Sequence, residues 1–467
     1  MNARPVRAIP TSDSLHRVRS RVKSFGEASL TLATLCGAAS VSYTRSVHTS
    51  KLVVIATCAV LTIAACSGSN NSSATTTAVQ PTTTAAGHLN DGTLVIGAVL
   101  PTVGTASEIG VSMADALQLG VSEINQSGGV NGRQIRLITR EEGDNSATAV
   151  LAVQSLLQFG VDAIIGPTSV PNLLATLGTA VEAGVLTCAP TASALALDNF
   201  PDDGLLLRTV PSDSLQAQAM AQLVESSGSS AVAVVYLDDN YGRPFAEATR
   251  AAITQRGTAV SGFVGFTPGE ASVSAAVAAV IQARPQVVAV VADAITGPSI
   301  INAIDAASDG TITFVVNDAA RRPDASAQPF SSALGPRITG VSPIAYATSA
   351  AFTTGLKSID PEATGLFAHN AYDCLNIIAL AAASAGSLRP SAIAAEIPGL
   401  TTGGTRCSSF PTCQVSLAER RNINYDGPGG NLAIDASGEM TSATFDKFTF
   451  DKNSRDVSIG LLRLGDG

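Results

Sequence analysis

The chain has 467 residues and a net charge of −9, is 45% hydrophobic but only 4% aromatic, and contains seven Cys and no Trp. An acidic balance excludes the basic face that nucleic acid requires, and scarce aromatic residues exclude a stacking platform for bases or sugars. The charge is also uneven: residues 1–51 carry eight Lys/Arg against Asp13 and Glu27, a net of +6, which leaves −15 for the remainder.

Leu52 to Ala65 is a 14-residue apolar run, short of the roughly 20 residues that cross a bilayer core. Arg45 and Lys51 before it and Ala64-Ala65 at its end suit a secretory signal. Cys66 follows directly and resembles the cysteine of the bacterial lipobox, which is lipidated and becomes the new N-terminus; Ile63 stands where Leu is usual. Residues 1–65 therefore read as a leader and Cys66 as a lipidation site, against a plain signal peptide or an uncleaved anchor. The stretch before Val47 is longer than the basic region of a signal peptide, as a start codon placed too early explains, with translation beginning near Val41 or Val47.

Ser67 to Gly87, "SGSNNSSATTTAVQPTTTAAG", has no periodic apolar face and cannot offset its ordering entropy by burial. It reads as a flexible tether over 66–91, its ends about 25 Å apart on average. Its Thr and Pro content also permits O-glycosylation.

From Thr93 apolar runs alternate with amphipathic stretches. "TLVIGAVL", "QIRLITRE", "VDAIIGP", "GVLTCAP", "AVAVVYLD", "AVSGFVGF", "QVVAVVAD" and "TITFVVND" predict strands, and segments such as "VSMADALQLGVSEINQSGG" and "FAEATRAAITQRG" predict helices between them. Near-continuous apolar strands joined by helices imply parallel sheets covered on both faces. Two such series, split near Pro211, give an α/β chain of two doubly wound parallel-sheet lobes.

Four cysteines remain beyond the leader and Cys66. Cys407 and Cys413, in the Gly, Ser and Pro-rich "RCSSFPTC", are expected to form a disulfide; a metal site lacks a nearby His or third thiol. Cys188, in an apolar strand, and Cys374, in a helix, read as two buried free thiols.

Open α/β sheets bind ligands beyond the carboxyl ends of their strands, where helix N-termini offer free N–H groups. Those ends carry Thr168-Ser169-Val170, Thr191-Ala192-Ser193, Asn240-Tyr241-Gly242, Ala294-Ile295-Thr296 after Asp293, and Asp318. The first lobe thus offers hydroxyls and amides suited to an anion, the second a carboxylate and a phenol suited to a cation. A zwitterion fits between them.

The order and spacing of "TLVIGAVLPTVG", "LGVSEINQSGGVNGRQIRLI", "IIGPTS", "CAPTAS", "LLLRTVPSDSLQAQAMAQ", "VVYLDDNYGR", "FAHNAYDCLNIIALA" and "GPGGNLAIDASGEMT" resemble the type I periplasmic binding proteins for branched-chain amino acids, the substrate-binding subunits of ABC importers. The resemblance runs from about Thr93 to Leu464. It implies lobes of 92–211 plus 346–444 and of 212–345 plus 445–467, joined by crossovers near Pro211, Tyr346 and Phe445. It also implies hinge closure over a small amino acid or related compound, branched-chain favoured, docking on a membrane permease, and a place at the cell surface or periplasmic face of the cytoplasmic membrane. No cofactor is implied.

Carried over residue by residue, the resemblance gives Thr191 and Ser193 to the ligand carboxylate, Tyr241 to closure over the ligand, and Asp318 to its ammonium. Ser169 and Thr168 precede Val170, which stands where the family usually has serine; that departure admits an amide, a urea-like molecule or a different acid. Asp213 matches a position just beyond the first crossover. Ordinary structural roles compete: a helix cap for Ser193 and Asp213, packing for Tyr241, and a surface salt bridge of Asp318 with Arg321 or Arg322. Asp293 and Thr296 are weaker candidates. Ala294, where relatives often carry a bulky aromatic residue, and Ile109 would line the side-chain pocket.

An enzyme is the first rival. Beyond Cys66 the only histidines are His88 and His369, and no nucleophile, base and acid set, Walker loop or metal-binding cluster is visible. A surface sensor of the same fold without transport is the second, since fold does not settle function.

Overall fold

The computed structural model describes residues 91–321 and 329–465. The expected leader, Cys66, the tether as far as residue 90 and Arg322 lie outside the described residues. The chain begins β1 (Val95–Leu100), α1 (Ser107–Gln126), β2 (Arg136–Glu141), α2 (Ser146–Phe159), β3 (Ala163–Ile165), α3 (Val170–Glu182), β4 (Leu186–Ala189) and β5 (Leu206–Arg208). It continues α4 (Asp213–Ser226), β6 (Val232–Leu237), α5 (Gly242–Gln255), β7 (Val260–Phe266), α6 (Glu270–Ala283), β8 (Val287–Val291), α7 (Thr296–Ala307), β9 (Thr313–Val316) and β10 (Ile338–Pro343). Then come α8 (Ala350–Ile359), α9 (Ala368–Ala385), α10 (Pro390–Thr401), β11 (Thr405–Cys407), α11 (Phe410–Ala418), β12 (Ile423–Tyr425), β13 (Ala443–Phe450) and β14 (Asp456–Leu464).

The first five strands form one parallel sheet in the order β2-β1-β3-β4-β5. Seven strands form the second, β14-β13-β10-β9-β8-β6-β7. Its core is parallel, while β13 and β14 add an antiparallel edge. The inner strands β1, β3 and β8 are buried at every position, as sheets covered on both faces require. β13 instead alternates, as "ATFDKFTF" dictates, with its Phe residues turned to the core.

Local signals set the helix limits. α2 starts where the Asn145 side chain accepts the Thr148 amide at 3.1 Å and stops at Gly160, whose φ of 82° suits a residue without Cβ. α9 is buried from Ala368 through Ala382 and packs against α1 and α10, so this apolar helix is the spine of the first lobe.

The reading of Cys188 and Cys374 as free thiols is corrected. β4 and α9 bring their Cα atoms to 5.8 Å, and the two sulfurs are bonded. Folding alone makes them neighbours, because 186 residues separate them along the chain. Cys407 and Cys413 are also bonded, joining β11 to α11.

Candidate ligand-binding site

The carboxyl ends of the parallel strands in both sheets carry the candidate residues. Two tight turns put them there. A Cβ at Gly166, where φ is 87°, would lie 2.3 Å from the Val99 carbonyl oxygen, and one at Gly242 would lie 2.1 Å from that of Leu237. Only glycine lets the loop after β3 and the start of α5 approach their strands so closely.

In the first lobe the loop after β3 is organised around Glu142, which is 1% exposed. Its Oε2 accepts the Thr168 amide at 2.8 Å and hydroxyl at 2.6 Å; its Oε1 accepts the Ser169 amide at 3.0 Å and Asn172 Nδ2 at 2.9 Å. Ser169 is exposed, and its amide already serves Glu142. Thr191 donates its hydroxyl to the Thr168 carbonyl at 2.8 Å, tying the loop after β4 to the loop after β3. The Ser193 carbonyl accepts the Asp213 amide at 2.9 Å and Arg208 Nη1 at 3.1 Å.

Asp213 does not cap α4. Ser212 takes that place, accepting the Ser214 amide at 3.1 Å, and Asp213 is the first helical residue. It is 1% exposed, and neither carboxylate oxygen closes a well-formed hydrogen bond among the described residues, although the Ser193 side chain lies near enough to act on it. Burial above all raises its pKa, to about 7; the charges of Asp318 and Asp198 add to the rise, and Ser193 and Arg208 oppose it.

In the second lobe Asp318 follows β9 and accepts Gln216 Nε2 at 3.0 Å. Its pKa is raised, chiefly by burial. The competing salt bridge with Arg321 is not formed, since that guanidinium holds Asp446 at 2.8 Å and Asp456 at 2.7 Å, while Arg322 lies outside the described residues. Tyr241 precedes α5 with its ring edge to Phe245, the centroids 5.8 Å apart. Burial, then the charges of Asp318 and Asp213, hold its phenol in the protonated form, while the Asn317 side chain opposes them. Both acids lie near enough to act on the phenol, and Tyr241 itself is 38% exposed.

Asp213, Asp318 and Tyr241 are thus brought together with Ser193 beside them, and Ser169 and Thr191 serve their loops. Asp293 holds the start of α7, accepting the Ile295 and Thr296 amides at 2.8 and 2.6 Å and the Thr296 hydroxyl at 2.9 Å. Ala294 is exposed and Ile109 half-buried against the core. Val103, Ile295 and Tyr346 leave further apolar surface exposed beyond β1, β8 and β10.

Sequence reasoning missed Glu142, Arg208, Gln216 and Asn317. Gln216 lies three residues after Asp213 on one face of α4, and its Oε1 is unpartnered, as is Asn317 Nδ2. Arg208, fully buried, grips Asp198 at 2.5 Å and Glu439 through Nε at 2.9 Å, fixing the segment after Ser193. The signals were the helical spacing in "SDSLQ" and the paired acids of "REEGD". A separate cavity of about 310 Å³ beside the crossovers, lined in part by Ile344, Arg406, Asp426 and Arg463, includes none of these residues.

Two α/β lobes with convergent polar groups at their strand ends define a two-lobed ligand-binding protein. The family model for "Periplasmic binding protein" matches residues 93–444, and the chain belongs to that family. The Leu/Ile/Val-binding protein homolog 3 of Brucella melitensis is 28% identical over 208 residues, 42% of this chain and about half, 53%, of the relative. A chemotactic signal transduction system substrate-binding protein of Halobacterium salinarum is 25% identical over 74% of this chain and 84% of its own. Among solved structures, the LivJ substrate-binding protein of Streptococcus pneumoniae with isoleucine superposes with a TM-score of 0.57 at 19% identity, covering 80% of this chain and 99% of its own. A solute-binding protein of R. palustris with benzoate gives 0.54 at 18% identity, covering 80% and 98%. These likenesses show the fold.

Proposed function

We propose that the chain is an extracytoplasmic substrate-binding lipoprotein of an ABC importer, without catalytic activity, anchored through Cys66. It binds a small amino acid or related compound, a branched-chain amino acid favoured, in the cleft between its lobes. The observation that carries this reading is the pair Asp213 and Asp318 with Tyr241 near them: two acids that form no salt bridge among the described residues and suit a cation. A benzoate supplies none. An α-ammonium supplies three N–H donors and a charge.

The lobes, 92–211 plus 346–444 and 212–345 plus 445–467, close about crossovers near Pro211, Tyr346 and Phe445. Closure excludes water and strengthens each polar contact. The closed form docks on permease subunits in the membrane. The likeness to a chemotaxis protein favours one second reading, a ligand-binding sensor without transport.

The test is the melting temperature of the purified protein against amino acids, amides, urea and benzoate. Ligand at about 100 times its Kd adds about 2.7 kcal/mol to the bound state. Leucine, isoleucine or valine should raise the melting temperature, and Asp318→Ala should abolish the rise; benzoate alone raising it would overturn the ammonium reading.

A further inference from the structure

Charge in the cleft is unbalanced. Asp213 Oδ1 and Oδ2 and Gln216 Oε1 are buried acceptors that close no well-formed hydrogen bond among the described residues, on side chains 1% exposed. Asn317 Nδ2 and the hydroxyls of Tyr241 and Ser193 can serve these oxygens, but none of them carries a charge to set against Asp213 and Asp318. Among the described residues the nearby guanidiniums do not redress the charge, for Arg208 and Arg321 are each held by two other acids. A positively charged group on the ligand is what completes this site.

The opposite wall carries an internal anion already. Glu142 sits at the N-terminus of α3, the place where a helix most favours negative charge, and four hydrogen bonds saturate its two oxygens. Of the donors along this turn, the Thr168 amide and hydroxyl and the Ser169 amide are consumed, Pro171 has no N–H, Val170 offers an amide but no hydroxyl, and the exposed Ser169 keeps its hydroxyl. A ligand carboxylate placed against Val170 would therefore approach the fixed charge of Glu142. A neutral carbonyl oxygen there meets no such repulsion.

We infer that the preferred ligand is a monocation, an α-amino amide, with its ammonium at Asp213 and Asp318 and its neutral amide toward Val170 and Ser193. This inference rests on the proposed binding of an amine in the cleft and narrows it: the zwitterionic amino acid becomes the weaker ligand. Leucinamide keeps the ammonium and isobutyl group of leucine while replacing two anionic acceptors by one carbonyl and two N–H donors.

The experiment is calorimetric titration of the purified protein at pH 7.0 with leucine, leucinamide and 3-methylbutylamine. At that pH an α-amino group of pKa about 7.7–8.0 is mostly charged. Leucinamide should bind at least about tenfold more tightly than leucine, and Glu142→Gln should narrow that ratio by removing the fixed charge. Leucine binding as tightly as the amide or more tightly overturns the inference and leaves the amine-binding function standing. No binding by any of the three overturns both. A ratio unchanged in a folded Glu142→Gln variant overturns the role of Glu142.

Discussion

Asp213→Asn should stabilise the ligand-free protein by an amount that grows as pH rises from about 4 to 7 and is full above it. The carboxyl group is buried with neither oxygen in a well-formed hydrogen bond among the described residues, and its pKa rises from 3.8 to about 7. An unfolded Asp ionises near 3.9, so between about pH 4 and pH 7 the native state holds a proton that the unfolded chain has lost. Stability from this group is therefore complete below about pH 4 and is lost as pH rises through 7. Three pKa units at about 1.4 kcal/mol each give a penalty on the order of 4 kcal/mol above pH 7. Asparagine keeps the shape and never ionises. With an unfolding entropy of about 2.1 cal/mol/K per residue over roughly 370 described residues, the penalty corresponds to about 5 °C. Thermal scans of both proteins should show no difference in melting temperature at pH 4 and an advantage of about 5 °C for the variant at pH 8. A difference independent of pH, or a variant less stable at pH 8, would refute the assignment of an unpaired buried acid. Ligand binding by the variant should fall at the same time, separating a residue kept for function from one kept for stability.

His369 is 4% exposed, its Nδ1 has no partner, and burial lowers its pKa to about 4. Its contribution is present above the unfolded value near 6.5 and is lost as pH falls through 4; His369→Gln should flatten the acid limb of the stability profile between those values, as followed by circular dichroism. Removing the bond between Cys188 and Cys374 by a double serine substitution should cost about 2–5 kcal/mol by denaturant titration, because it closes a loop of 186 residues. The Cys407–Cys413 bond, closing six, should cost less.

The sequence revealed elements whose pattern is local and hid those whose logic is not. The near-continuous Val and Ile of "TLVIGAVL", "VDAIIGP" and "QVVAVVAD" announced β1, β3 and β8, since buried parallel strands need apolar residues on both faces. The three-residue β5 was too short to read, and β13 mixes Asp446 and Lys447 with its Phe residues. Within the site, Tyr241 and Asp318 were legible because each ends an obvious strand. Asp213 was read as a cap because its neighbour Ser212 is of the same capping class. Glu142 was illegible for a different reason: its four partners lie 26 to 30 residues away, so the "EE" after β2 resembles solvated charge until α3 folds against it. The disulfide at Cys188 was hidden by distance along the chain.

The central claim is that Asp213 and Asp318 exist to hold a ligand's ammonium. Its most direct test compares leucine with 4-methylpentanoate, the same carbon skeleton without the amine, by calorimetric titration. Loss of a charge-assisted contact to paired, partly desolvated acids should cost at least about 2–3 kcal/mol, a fall in affinity of about 30- to 150-fold. An equal or tighter Kd for 4-methylpentanoate would contradict the account.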